Sequence, residues 1–503
     1  MRAGVYPFLP FAICHLPFAL QGSSPCTAPH HYKVRLWWSN PPALEQAIRQ
    51  QGRLLVRTPD GDVAVGHDSR VSRRNGKALI TICLPREEYV ASVLAGESSV
   101  FRSEEALKAM AVAARTYAHR FRGRHSKEGF DFCDTTHCQD LRLAARTDRL
   151  SRAAEATEGE MLWFEGAPAA TYYHRHCGGV TEADPHGPYL RQQHDGYCTS
   201  VDRGEWRSVL SQEELARALR QAGLRVAGAP RLELLERSPS GRARSLLIGS
   251  LRMDAPAFHN AVGRALGWTH IRSTFFDVYD SGGAVTFQGR GFGHGIGLCQ
   301  TGASRMGDTG MNYRDILASY YPGTKLGLAA QGISWRVLGG ERSEVWVTDT
   351  SLSDLPAIAD RMIAEAERRS GFRLSYRPVF KFYPTVAAFR DSTGEPGRVA
   401  AVTRGRLARL QPASALRSTG VLESTVLHEA LHLVIESRAH PSLPAWFREG
   451  LVERLAEARG GDAAARARVG RLVREHGPAT VLGWVTSGLP ADVLRREPAD
   501  QGR

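Results

Sequence analysis

Three groups of side chains in this sequence have types and spacings that could do chemistry. The first is a single carboxylate, Glu97, which follows Gly96 at the end of a helical stripe made by Tyr89, Val90, Val93 and Leu94. The partial negative charge at a helix C-terminus disfavours a second negative charge, and the apolar neighbours Val100 and Phe101 add desolvation. Both effects push a carboxyl pKa upward, and a carboxyl still protonated near neutral pH can donate to a glycosidic oxygen. The competing reading is a solvated glutamate at a helix end. The second group is His428-Glu429-Ala430-Leu431-His432. Its imidazoles, four apart on a helix, project from one face and can grip one ion, while Glu429 can polarise a metal-bound water and take its proton. Glu449 could add a third, oxygen ligand, and Glu453, one turn on, could hydrogen-bond the second nitrogen of a ligand histidine. The alternative is a packing helix with two exposed histidines. The third group, Cys133, His137 and Cys138, is a local cluster of soft ligands.

The elements that must position these groups fall into two sets. Tyr32–Trp38 alternates apolar and basic residues as a half-buried strand does, and short strand-like runs separated by Asp-Gly and Asn-Gly turns fill 53–83. Two helices follow. Ser103 is a good N-cap for the second, with Glu104 and Glu105 in its first turn, and Leu107, Met110, Ala114, Tyr117 and Phe121 share one face. From 160 to 300 strand-like segments dominate, and a last helix is expected near 312–320. A linker is expected at 327–342. The pattern then restarts with a strand at Val345–Val347, a helix at Leu355–Arg369, a strand at Val379–Phe382 and helical stretches around the histidines. No internal repeat is evident.

At 503 residues one core is improbable and two or three domains are expected. The formal net charge of +13 implies attraction to polyanions. No clustered basic face interleaved with aromatics marks a nucleic-acid binder, whereas an anionic cell-wall polymer would satisfy the same field. Residues 1–24 contain a short apolar stretch interrupted by Pro7, Pro10 and Pro17, which reads as an export signal rather than a membrane span. Nothing later is long and apolar enough to cross a bilayer. The expected location is therefore the periplasm or cell envelope. All eight cysteines lie at or before position 299, so the C-terminal part must be stable without disulfides.

The blocks EYVASVLAGESSVFRSEEALKAMAVAARTYA, FDFCDTTHCQDL, YYHRHCGGVTEA and GRGFGHGIGLCQTGASRMGDTGMNYRDILASYYPGTKL occur in that order and resemble the SpoIID/LytB family of bacterial cell-wall proteins. The resemblance covers 32–326. It implies a peptidoglycan-directed domain, either a lytic transglycosylase that cuts glycan strands or an enhancer of a partner cell-wall amidase. The family's catalytic acid falls on Glu97. Arg115, His294 and Gln300 lie in matching motifs, which implies a place along the glycan groove, although His294 could instead hold the glycine-rich loop. Some members bind zinc through two histidines and two cysteines near Cys133, His137 and Cys138, with His125 the nearest fourth ligand here and His174 or His176 as alternatives. A disulfide reading, with Cys177–Cys198 the natural pair, stays open beside the zinc reading. Cys299, between glycine-rich turns, reads as a small buried residue.

The second region, 343–503, resembles the gluzincin-type zinc peptidases, in particular the small peptidase MA-like domains. The likeness covers about 343–460 and rests on HExxH followed by Pro444-Ala445-Trp446-Phe447-Arg448-Glu449-Gly450. It implies zinc on His428, His432 and Glu449, with Glu429 as base. No transition-state stabiliser is recognisable, so a metal-binding but inactive domain remains an alternative. The expected fold is α+β: a mixed, strand-rich domain with a buried helix pair, followed by a smaller α+β zincin-like domain.

Overall fold

The computed structural model describes residues 26, 31–38, 46–50, 53–58, 61–65, 70–74, 77–224, 226, 231–281, 283–457 and 461–496. The segment 1–24 expected to direct export lies outside them. The chain is mixed α+β and divides into two compact units, Tyr32–Ile333 and one built on Ser334–Arg503. Among the described residues no helix is long and apolar enough to cross a membrane. The stretch 327–342 is not simply a linker. Lys325–Gly327 pairs with Met161–Phe164 in the first unit, and Arg336–Gly339 pairs with Glu344–Val347 in the second.

In the first unit, His31–Leu36 buries Tyr32, Val34 and Leu36 on one face, as its alternation requires. It sits in a four-stranded sheet of order Arg70–Arg74, Lys77–Pro85, His31–Leu36, Phe132–Cys133. The last pair is parallel, with Arg35 opposite Cys133. Against this sheet lies the helix Arg86–Glu97, and the helix Glu104–Arg120 packs on that helix. Ser103 Oγ caps the second by accepting the Ala106 N–H at 3.0 Å.

The sequence stripe of that second helix predicts one buried face, yet every residue from Ala109 to Ala118 is buried. Its alanines let neighbours approach on all sides. These are the helices Arg86–Glu97, Asp148–Ala156, Gln300–Asp308 and Tyr313–Tyr320, together with the strand Met161–Phe164. Gln300–Asp308, which contains two glycines, is a helix the sequence does not announce. A Cβ on Gly302 would lie 2.2 Å from Tyr320 Oη, and one on Gly307 would lie 2.0 Å from Ser103 Oγ. Close packing therefore overrides poor intrinsic propensity.

The strand-like reading of 160–300 also needs correction. Residues 205–290 enclose a core of their own, with Trp206, Leu210, Leu219, Leu246, Phe258 and Phe287 among its buried residues. Two three-stranded antiparallel sheets surround it: Glu205–Ser211, Ala284–Arg290 and Phe276–Asp280 in one, Leu232–Arg237, Ala243–Ile248 and Leu251–Asp254 in the other. The helices Gln212–Gln221 and Ala255–Leu266 join them. The first of these helices opens on a complete capping box, Ser211 with Glu214.

The second unit is a five-stranded sheet of order Arg336–Gly339, Glu344–Val347, Val379–Phe382, Leu407–Leu410, Ala401–Arg404. Its three central strands are parallel, and the helix Leu355–Ser370 makes the crossover from the first of them to the second. The edge strand Ala401–Arg404 is antiparallel to its neighbour. The helix Leu422–Glu436 packs on Leu355–Ser370 and on both strands at that edge.

Candidate functional site

The helix Arg86–Glu97 runs through Gly96, so Glu97 is its last residue rather than the first beyond it. Gly96 provides clearance, because a Cβ there would come within 2.2 Å of the Asp140 carbonyl oxygen. That approach lets the Asp140 N–H donate to Glu97 Oε1 at 3.0 Å. Gln300, buried at the start of the helix Gln300–Asp308, donates from Nε2 to Glu97 Oε2 at 3.0 Å. Burial pushes the Glu97 pKa up. The hydrogen bonds from Asp140 and Gln300 oppose it, the Asp140 charge adds to it, and the Arg175 charge subtracts. Part of the Glu97 surface stays exposed, as a group that serves an outside molecule requires.

Asp140, Arg175 and Gln139 are site residues the sequence reading did not single out. Arg175 Nη1 donates to Ser99 Oγ at 2.7 Å, two residues beyond the carboxylate. Gln139 accepts from Tyr89 Oη and donates to Tyr173 Oη, both at 2.8 Å, which stiffens the floor beneath the site. Gln139 and Asp140 stand in the Cys-Gln-Asp-Leu stretch at 138–141, which was the available signal.

Arg115 is not in a groove. It is completely buried, and its guanidinium donates to Glu87, Thr157 Oγ1 and the carbonyl oxygens of Ala154 and Glu160. It is an internal clamp that joins three elements. His294 lies in the glycine-rich loop, where its Nδ1 accepts the Ile296 N–H at 3.0 Å and its ring meets Tyr172 and His174 edge-on. The loop-holding reading describes these contacts, and Gln300, not His294, is joined to Glu97. The loop needs its glycines: Gly297 has φ of 70°, and a Cβ there would lie 2.1 Å from the Tyr172 carbonyl oxygen.

His125, Cys133, His137 and Cys138 bring one ligand atom each to within 4.8 Å of one another. His137 Nδ1 is 3.7 Å from both sulfurs. Tetrahedral zinc with bonds of about 2.3 Å to sulfur and 2.0–2.1 Å to nitrogen puts such atoms roughly 3.6 Å apart. His125 Nε2 is buried with no hydrogen-bond partner, as suits a metal-ligating nitrogen. These residues fit a structural zinc. His174 is placed elsewhere, its Nδ1 3.1 Å from Ile296 O. Cys177 and Cys198 do not form the disulfide that stood open beside the zinc reading. Both are free thiols, and Cys198 Sγ lies 3.5 Å from Cys299 Sγ.

In the second unit, His428 and His432 on the helix Leu422–Glu436 face Glu449 on the helix Ala445–Ala456. Their Nε2 atoms are 3.2 Å apart, and Glu449 Oε2 is 3.3 Å from His432 Nε2. Tetrahedral nitrogen ligands around zinc are separated by about 3.3 Å. Glu449 Oε1 is buried and accepts no hydrogen bond, so the donor set fits a zinc ion. His428 is fully buried and His432 nearly so, unlike the exposed histidines of a simple packing helix. Thr403 Oγ1, on the edge strand, donates to Glu429 Oε2 at 2.6 Å. Glu453 is fully buried, and Gly461 lies so close that a Cβ there would be 1.7 Å from Glu453 Oε1.

The family models that match this chain both lie within the first unit. The sequence model described as stage II sporulation protein, SpoIID, matches residues 74–164, the stretch that carries Glu97, Arg115 and the Cys-His cluster. A domain of unknown function (DUF8618) matches 185–297, which contains the additional core. An uncharacterized protein of Brachyspira hyodysenteriae is 30% identical over 259 residues, covering 50% of this chain and 69% of its own length. Stage II sporulation protein D of Bacillus amyloliquefaciens is 27% identical over 273 residues, covering 50% of this chain and 76% of its own. The amidase enhancer of Bacillus subtilis is 26% identical over 287 residues, 46% of this chain but only 39% of its own length. The chain belongs to the SpoIID family.

Proposed function

We propose that this is an exported cell-wall-remodelling protein whose first unit cleaves peptidoglycan glycan strands as a lytic transglycosylase. The observation that carries this reading is Glu97 itself, a carboxyl with a raised pKa, fixed from two sides and still reachable from outside. In this scheme Glu97 gives its proton to the glycosidic oxygen as the bond to C1 breaks. The carboxylate then takes the proton of the sugar's own 6-hydroxyl as that oxygen bonds to C1 and closes an anhydro ring. One carboxyl therefore suffices, unlike the paired carboxylates of glycoside hydrolases. Gln300 and Asp140 orient it. The test is release of anhydro-sugar ends from peptide-stripped glycan, which Glu97→Gln should abolish.

A second reading, a non-catalytic wall-binding enhancer of a partner amidase, is favoured by the relative named as an amidase enhancer. Glycan binding without anhydro ends from the wild type, together with stimulation of an added amidase, would select it.

For the second unit we infer a zinc peptidase-like module, with His428, His432 and Glu449 holding the ion. When bound, zinc would supply Lewis acidity and lower the pKa of a coordinated water. Glu429 takes the proton of the attacking water, and Thr403 fixes the carboxylate that does so. Among the described residues the edge strand Ala401–Arg404 is paired on one side only, and it offers its other side to an extended peptide. Glu429→Gln should abolish peptide hydrolysis while zinc content stays unchanged.

A further inference from the structure

Behind the Glu97 site, three cysteines far apart in sequence meet in a wholly buried cluster. Cys177 follows the short strand Tyr173–His174, Cys198 lies in the helix Gly196–Val201, and Cys299 immediately precedes Gln300. All three are 0% exposed, and Asp195 beside them is 3% exposed. One ligand atom from each of the four lies within 4.8 Å of the others. We propose that Cys177, Cys198, Cys299 and Asp195 form a metal site for a zinc-class divalent ion, separate from the His125 cluster and from the HExxH site.

The spacing suits such an ion. Cys198 Sγ and Cys299 Sγ are 3.5 Å apart, as are Cys177 Sγ and Asp195 Oδ2. Bonds of about 2.3 Å to sulfur and 2.0–2.2 Å to oxygen set tetrahedral edges of roughly 3.8 and 3.5 Å. A disulfide would need about 2.05 Å, and any single disulfide among three cysteines leaves one over. Backbone donors reach two of the sulfurs, as they do around ligating thiolates. Cys299 Sγ accepts the N–H groups of Cys177 at 3.3 Å and Gly302 at 3.4 Å, and Cys177 Sγ accepts that of Gly179 at 3.3 Å.

Asp195 is held as ligating carboxylates are, accepting from Cys198 N at 2.9 Å and Tyr320 Oη at 2.7 Å. His176 lies 3.4 Å from Cys198 Sγ but is committed elsewhere: Nδ1 accepts the Gly178 N–H at 3.0 Å, and Nε2 lies 3.2 Å from Asp202 O. Asp195 is therefore the fourth ligand.

An independent observation points the same way. Arg242 is 2% exposed, and its Nη2 donates to Cys177 O at 2.6 Å. Its Nε and Nη1 are buried with no hydrogen-bond partner, and the acidic groups that face it are Cys177, Glu182 and Cys299. A buried guanidinium left so is costly unless negative charge lies close by. Neutral thiols add none to that of the Glu182 carboxylate. Three thiolates and a carboxylate around a dication carry a net charge of −2, which offsets it. The ion would pin the Cys177 loop, the Cys198 helix and the segment leading into Gln300. Thr301 already donates from both N and Oγ1 to Arg175 O within this junction. The site would thus hold Gln300 and Arg175 against Glu97.

The test uses the full chain with the other two clusters silenced by Cys133→Ser, Cys138→Ser, His428→Ala and His432→Ala. Titration with cobalt(II) is expected to bind one equivalent, with thiolate-to-cobalt charge transfer and the strong visible bands of a tetrahedral site. Adding Cys299→Ser should abolish both signals, and Asp195→Asn should weaken binding at least about tenfold. Should the silenced chain fail to fold, zinc content of the wild type against Cys299→Ser alone decides, with one equivalent fewer expected in the variant. A disulfide joining any two of Cys177, Cys198 and Cys299 in peptide mapping, or three titratable thiols at these positions with no bound metal, overturns the proposal.

Discussion

Gln300 Nε2 lies 3.0 Å from Glu97 Oε2 although the two residues are 203 positions apart in sequence. A donated N–H favours the carboxylate over the acid, so this contact holds the Glu97 pKa below what burial alone would give. Gln300→Leu should therefore raise that pKa further, and the alkaline limb of the rate profile should move to higher pH. The rate itself should fall on the order of tenfold, because a hydrogen bond to a charged group contributes about 1.5–3 kcal/mol and here also fixes orientation. A pH–rate profile of anhydro-sugar release checks both effects.

The raised pKa also has a sign for stability. A carboxyl whose pKa is higher in the fold than in the unfolded chain contributes most below its unfolded value, and that contribution is lost as pH rises through the folded value. Replacing Glu97 by glutamine removes the titration but faces one of the two donors with an amide nitrogen, a pH-independent offset. The stability difference between Glu97→Gln and wild type should thus shift in favour of the variant as pH rises from about 4 through neutrality. Urea denaturation at several pH values reads it, and a flat difference would contradict the protonated acid.

Arg115→Ala should act on folding rather than on substrate affinity. Its guanidinium is completely buried and joined to Glu87, whose charge the substitution would leave with only the longer Arg86 contact at 3.4 Å and the Gly159 N–H. Breaking such a pair costs roughly 3–5 kcal/mol. Arg115→Lys should recover only part of it, since one ammonium cannot reproduce donations to Glu87, Thr157 and two carbonyl groups. Thermal unfolding together with glycan binding by the folded fraction separates this from a groove role.

How far the site was legible follows from how each residue acts. Glu97 was readable because its helix and its motif are local. Its partners were not, because a backbone N–H at Asp140 and a side chain at Gln300 enter only through tertiary approach. Arg115 misled for a related reason: motif membership does not distinguish an arginine that meets substrate from one that clamps helices. The histidine pair was legible from helical spacing and Glu449 from the resemblance and the need for an oxygen ligand on a neighbouring helix, whereas Thr403 on the edge strand was invisible to both. The core at 205–290 was missed because the strand patterns there overshadowed two amphipathic helices. The Cys177, Cys198 and Cys299 cluster escaped because no two of its members share a local spacing motif.

Zinc should stabilise the second unit by mass action. With His428, His432 and Glu449 converging in the folded chain, free zinc at a hundred times its dissociation constant adds about 2.7 kcal/mol. His428→Ala/His432→Ala should abolish the added stability of this unit, while Glu429→Gln should retain it. Calorimetry of the full chain with and without chelator resolves this if the unit's own transition moves in one variant and not in the other.

Gly96→Ala sets two effects against each other. In the interior of an exposed helix, alanine would be favoured over glycine by about 1 kcal/mol. Here the new Cβ would lie 2.2 Å from Asp140 O, a contact with backbone that cannot rotate away. Asp140 must retreat, and its N–H leaves Glu97 Oε1 with it. Overpacking of this kind typically costs 1–3 kcal/mol, more than the propensity gain. The variant should therefore be less stable than wild type and should lose most of its glycan-cleaving activity. A gain in melting temperature with activity intact would show that the Asp140 approach is not what fixes the acid.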